Sequence, residues 1–165
     1  MVLGYCSLID RFLPADVKCI YNAMIYARIN LAANSDTQML EGWKCLSTPD
    51  PILLDLIYLR YCRYKKFQSY MPIFTSEYFD PNNDVIGYYD GDNLIAFSLM
   101  RRYDTENVEA IQFAWNYENP KLSLGIKSLR HECALYRDKG FKYLYLGEAD
   151  EYKSHISGFE IMRTV

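Results

Sequence analysis

The chain has 165 residues, half of them hydrophobic, with 24% charged residues and a formal net charge of −3. That length and composition fit a globular domain with a core of its own and exclude a disordered or low-complexity chain. The negative balance argues against a protein that binds nucleic acid over its whole surface, and no apolar run approaches the roughly 20 residues of a membrane span. Five cysteines without a close pair and only two histidines, His131 and His155, give poor material for a metal site. No metal is expected. Scattered free thiols and a start without a basic, apolar leader point to a cytoplasmic protein.

In chain order, Asp16 is a candidate N-cap for a helix over Val17 to Ala33, with Ile20, Met24, Ala27 and Leu31 on one face. A short helix from Thr37 to Leu46 follows the Asn34-Ser35-Asp36 loop. Asp50-Pro51 pairs a capping side chain with proline at the first helical position, which predicts a helix from Pro51 to about Phe67. Residues 1–72 thus read as a mainly helical part and 80–165 as the sheet core of one domain.

Beyond Asp80-Pro81 the pattern changes to short strands. Val85 to Tyr89, Leu94 to Arg102 and Val108 to Asn116 are separated by the turn signals Asp90-Gly91-Asp92-Asn93 and Asp104-Thr105-Glu106-Asn107, an antiparallel meander. A helix from Ser123 to Lys139 then stops at Gly140. Phe141 to Gly147 is almost wholly apolar or aromatic, as for a strand covered on both faces. The fold class is α/β: a mixed sheet, meander plus strand–helix–strand crossover, with an N-terminal helical region.

Three stretches carry chemistry. At the strand end and helix start, free backbone N–H groups and the helix dipole make an anion site. There Lys121, Ser123, Gly125, Lys127 and Ser128 supply cations, hydroxyls and room for close backbone approach. The other reading is an ordinary helix start capped by Ser123 with solvated lysines. After the last strand, Glu148 and Tyr152 are of the types that move protons in acyl transfer, and Lys153 is a candidate ligand for a phosphate or for the substrate's carboxylate. The other reading is a solvated acidic loop. Finally, Arg60, Arg63, Lys65 and Lys66 alternate with aromatics on one helix, either an RNA-binding face or cations left outside by buried tyrosines.

The run Val108 to Trp115, the Lys121-Leu122-Ser123-Leu124-Gly125 turn, Phe141 to Gly147 and Tyr152-Lys153 followed by Phe159-Glu160 resemble the C-terminal domain of arginyl- and leucyl-tRNA–protein transferases. That domain has the GNAT (Gcn5-related N-acetyltransferase) fold, and FemAB-like aminoacyl transferases share similar features. Where that family has Tyr-Asp-Pro, this chain has Asn116-Tyr117-Glu118-Asn119-Pro120. The resemblance implies an N-acyltransferase that moves an acyl or aminoacyl group from acyl-CoA or aminoacyl-tRNA to an amine, a peptide N-terminus or a small molecule. The donor is a co-substrate; no permanently bound cofactor is implied. Backbone amides of Phe113, Ala114 and Trp115 would hold the acyl carbonyl, Glu148 and Tyr152 would handle protons, and Arg60, Arg63, Lys65 and Lys66 would meet tRNA. The alternatives are an ordinary acetyl-CoA-dependent N-acetyltransferase and a non-catalytic binding module of the same shape.

Overall fold

The computed structural model describes residues 25–37, 39–116 and 123–162. Seven strands form one mixed sheet: β1 (Tyr26–Asn30), β2 (Trp43–Cys45), β3 (Asn83–Asp90), β4 (Asn93–Arg102), β5 (Asn107–Trp115), β6 (Tyr143–Glu148) and β7 (Phe159–Met162). Their spatial order is β2-β3-β4-β5-β6-β1-β7. The helices are α1 (Pro51–Lys65), α2 (Thr75–Phe79) and α3 (Leu124–Asp138), with short 3₁₀ turns at Leu31–Ala33 and Glu151–His155.

The meander forms as the turn signals predict. Asp90 pairs with Asn93 around a two-residue turn, and Gly91 supplies the positive φ of 59° that such turns need. From β5 the chain crosses through α3 and returns as β6, parallel to β5. Side chains alternate between two cores. Ile86, Ala96, Met100, Val108 and Leu144 face α3, whereas Val85, Phe97, Leu99 and Ala114 face α1 and α2.

Helix α1 begins where the sequence places it, because Asp50 accepts hydrogen bonds from the Ile52 and Leu53 amides. It buries Leu54, Ile57, Tyr58 and Cys62 and ends at Lys66 in the left-handed conformation. Arg60, Arg63, Lys65 and Lys66 are all exposed near that end.

The N-terminal helices are corrected. Of the expected helix over Val17 to Ala33, residues 17–24 lie outside the described residues, and the remainder is strand β1 plus a 3₁₀ turn. Ala27 and Ile29 are buried at strand spacing, and Arg28 and Asn30, on the other face, bind Glu160 of β7. A slot between β6 and β7 overrides the helical spacing. The expected helix from Thr37 to Leu46 is instead a loop and β2, which pairs with β3. Gly42, at φ +70°, turns the chain where that helix would run.

One further expectation changes. Among the described residues, a helix covers one face of strand β6: Leu144 and Leu146 are buried toward α3, while Tyr143 and Tyr145 are half-buried on the other side.

Candidate active site

Strands β5 and β6 stay in register for three steps, Asn107 with Tyr143, Val108 with Leu144, and Glu109 with Tyr145. Past that pair they part. Each strand then carries a bulge on its outer side. Leu99 of β4 faces Gln112 and Met100 faces Ala110, leaving Ile111 as an extra residue; on β6, Leu146 is extra between Tyr145 and Gly147 opposite β1. Bulges bend a strand and end regular pairing.

A cavity of about 210 Å³ fills the opening. One wall is β5 from Ala110 to Phe113 and another is Leu146. A third is a stripe of α3, Gly125, Ser128, Leu129 and Glu132, at the i, i+3, i+4, i+7 spacing of one helix face. Asp150, Tyr152 and Lys153 at the 3₁₀ turn and Tyr61 of α1 complete the rim. The gap therefore opens onto the start of a 15-residue helix. Ser123, at its N-cap, is left-handed (φ 48°) and gives no side-chain cap, so the reading of an ordinary Ser-capped start is set aside. First-turn amides have no helical acceptors, and the dipole adds to their attraction for anions.

The expected site residues divide. Phe113, Gly125, Ser128, Tyr152 and Lys153 all line the cavity. Buried Ala114 packs in the α1 core and Trp115 in the α3 core, so their side chains do not line it. Ser123 and Lys127 stand at the helix start outside the lining, and Lys121 lies outside the described residues. Ser128 turns its hydroxyl to the Gly125 carbonyl at 3.2 Å. Glu148 is exposed and off the cavity lining.

Lys153 is placed but occupied. Its ammonium donates to the carbonyls of Glu148 (2.8 Å) and Leu146 (3.2 Å) and pairs with Asp150 at 2.7 Å. An ammonium has three donors. Two hold the 3₁₀ turn to the bent end of β6, and the third closes on Asp150 at the start of the turn.

Two acidic residues of the cavity, Glu132 and Asp150, are not among the expected site residues. Glu132 is 3% exposed, and its Oε1 accepts from the Tyr88 hydroxyl at 2.7 Å and from the Ser98 hydroxyl. Burial pushes its carboxyl above the ordinary value. Its signal in the sequence is an acid beside Cys133 on a helix that otherwise buries Leu129, Cys133 and Tyr136. The neighbouring His131 is buried too, with Nδ1 accepting from the Leu40 amide at 3.3 Å, and desolvation lowers its pKa from 6.5 to about 4.

On the opposite face of the sheet, a groove of about 340 Å³ lies beside the same parting of strands. Glu109 and Tyr145, the last registered pair, line it together with Tyr26, Tyr103 and Asp104. Glu109 accepts from the Tyr103 hydroxyl, and Tyr145 donates to Asn107 Oδ1 at 3.2 Å. Among the described residues, no lysine, arginine or histidine is part of this lining.

An antiparallel meander joined through one helix to a parallel strand, parted beyond the crossover, defines a GNAT-like α/β fold. No family model and no curated protein matches the chain. Solved structures do. The C-terminal domain (DUF2156) of an Agrobacterium fabrum protein described as a lysylphosphatidylglycerol synthetase superposes with a TM-score of 0.59 at 13% identity, over 76% of this chain and 47% of that one. A Novosphingobium aromaticivorans protein described as a GNAT-family acetyltransferase gives 0.56 at 17% identity, over 84% and 60%. Saccharomyces cerevisiae N-myristoyltransferase, solved with bound myristoyl-CoA and inhibitors, gives 0.53 at 11%, over 84% and 48%. The chain spans about half the length of these structures, and the shared feature is the fold. Among the described residues, no group of three or more metal-ligating side chains occurs and no helix is long and apolar enough to cross a membrane.

Proposed function

We propose that this chain is an N-acyltransferase that takes an acyl group from a carrier bearing phosphate, acyl-CoA or aminoacyl-tRNA, and passes it to an amine. One observation carries the reading: β5 and β6 part after Glu109 and Tyr145 into a cavity that meets the uncapped start of α3. The carrier's phosphates sit at that helix start, and its acyl arm enters between the strands. The exposed cations at the end of α1 stand on the same helix as Tyr61 of the rim and draw an anionic carrier toward it.

The acceptor amine enters from the opposite groove, whose carboxylates and tyrosines suit a cation with an apolar stem. The ammonium first gives up a proton, the nitrogen lone pair so freed attacks the acyl carbon, the carbon–sulfur or carbon–oxygen bond to the carrier breaks, and the nitrogen loses a second proton to water. Positioning the two reactants supplies much of the rate. Tyr152, half-exposed on the cavity rim, is placed to return a proton to the departing thiolate or alkoxide. The first of these protons, the one that must leave before attack, goes to Glu109, which stands on the acceptor's path, in place of Glu148.

Calorimetric titration with acetyl-CoA and with aminoacyl-tRNA, followed by mass spectrometry of amine mixtures, tests the reading. Saturable binding of one donor is expected, with turnover lowered by Tyr152→Phe and by Glu109→Gln at unchanged donor affinity. Absence of binding to both donors would leave a GNAT-shaped binding module.

A further inference from the structure

We infer that the floor of the donor cavity selects an acyl group carrying its own ammonium, an aminoacyl group, and that Glu132 is the residue that reads it. The inference rests on the acyl-transfer reading above and names its donor class. The α3 stripe runs inward from the helix start, and seven residues of helix place Glu132 about 10 Å along the axis from Gly125. With phosphates at the helix start, the far end of the arm lies beside Glu132. The cavity, about 210 Å³, is smaller than the 300–1,000 Å³ common for drug-sized ligands, so the group it takes is short.

The chemistry of the floor decides what that group carries. Glu132 is enclosed, and both donors that reach it, Tyr88 and Ser98, converge on Oε1. Among the described residues no lysine, arginine or histidine nitrogen stands within ion-pair distance of it. The cation that shares the cavity, Lys153, is held by Leu146, Glu148 and Asp150. A buried carboxyl without a counter-ion is costly when ionised, and burial accordingly favours its protonated form. An ammonium entering the cavity supplies the missing counter-charge. A hydrocarbon chain of the same length supplies nothing and buries the carboxyl further. Sites built around a buried polar group discriminate strongly against isosteres that cannot pair with it.

The test compares two thioesters of nearly equal shape, β-alanyl-CoA and butyryl-CoA, with free CoA as reference, by calorimetry on the wild type and on Glu132→Gln. A parallel arm compares glycyl-tRNA with N-acetylglycyl-tRNA. The wild type is expected to bind the amine-bearing donor at least about tenfold more tightly than its isostere. In Glu132→Gln, which keeps an acceptor for Tyr88 and Ser98, that preference should vanish while affinity for the carrier alone stays. Equal wild-type affinities with free CoA still binding would overturn this inference and leave the donor reading standing. A preference that survives Glu132→Gln would also overturn it. Failure of every donor on both carriers removes the inference and the reading together. The wild-type comparison decides even if the variant does not fold.

Discussion

Ile111 of β5 and Leu146 of β6 are the extra residues of two bulges, and both line the cavity that separates their strands. The bulges lie on opposite outer sides, one against β4 and one against β1. Each strand is therefore bent by its outer neighbour just past the Glu109–Tyr145 pair, and the parting is built into the register. A gap fixed this way exists before any ligand arrives, which limits the reorganisation a donor must drive.

Gly125 tests whether the gap is the donor's path. A Cβ built there meets Phe113 at 3.8 Å, an ordinary contact, so Gly125→Ala fits without displacement. In the middle of a helix alanine is favoured over glycine by roughly 0.5–1 kcal/mol, and at the second residue of α3 by less. Gly125→Leu extends a side chain from the same wall toward Phe113. The expected outcome is an equal or higher melting temperature for Gly125→Ala, and loss of donor binding for Gly125→Leu with the fold retained by circular dichroism. Undiminished donor affinity in Gly125→Leu would place the donor elsewhere.

Lys153 separates a phosphate ligand from a clamp. Its ammonium holds two carbonyls and one carboxylate. Removing it with Lys153→Met leaves the Leu146 and Glu148 carbonyls without that donor, a cost of about 1–3 kcal/mol where such groups are buried. Faster hydrogen exchange is expected across 146–153, together with a lower melting temperature. A variant with unchanged stability and exchange but weakened donor binding would return Lys153 to the phosphate role.

The sheet core is legible because its signals are local. Asp90-Gly91 and Asp104 to Asn107 make their turns from their own side chains and backbone, and Asp104 accepts from the Glu106 and Asn107 amides. Strand β1 is not legible, since Ala27 and Leu31 satisfy a helical stripe while Ala27 and Ile29 satisfy a strand. Its partners, Tyr143 to Glu148 and Phe159 to Met162, lie more than a hundred residues away. The site divides along the same line. Gly125 and Ser128 follow from a helix that opens at a strand end. Glu132 gains its meaning from Tyr88 and Ser98, and Lys153 meets carbonyls that converge only when β6 bends.

His131 makes part of the fold sensitive to acid. Its folded pKa of about 4 lies below the ordinary 6.5, so between those values the unfolded chain binds more protons than the folded one. Stability from this group is present above pH 6.5 and is lost as pH falls toward 4. The 2.5-unit difference corresponds to about 3 kcal/mol at full effect. Urea denaturation at intervals from pH 7 to 4 should show a shallower acid loss in His131→Gln than in the wild type. Identical slopes in the two proteins would mean that His131 is not held neutral.

Glu132 acts in the opposite sense on the next position of the helix. Its folded pKa is raised above 4.5 by burial, so once pH exceeds 4.5 the folded state holds a proton that the unfolded chain has released. Stability then declines as pH rises from 4.5 through the folded value. Glu132→Gln cannot ionise, keeps an acceptor for Tyr88 and Ser98, and should gain on the wild type across that range. Above pH 4.5, as far as the folded Glu132 carboxyl holds its proton, the two adjacent residues oppose each other, which flattens the wild-type profile. Measured as differences from the wild type, His131→Gln should tilt the profile toward loss with rising pH, and Glu132→Gln should tilt it toward gain. Carboxylates elsewhere, such as the Arg28-paired Glu160, are common to all three proteins and cancel in the differences. Parallel profiles for the wild type and Glu132→Gln would show that the carboxyl ionises freely in the folded protein, open to water instead of enclosed by Tyr88 and Ser98.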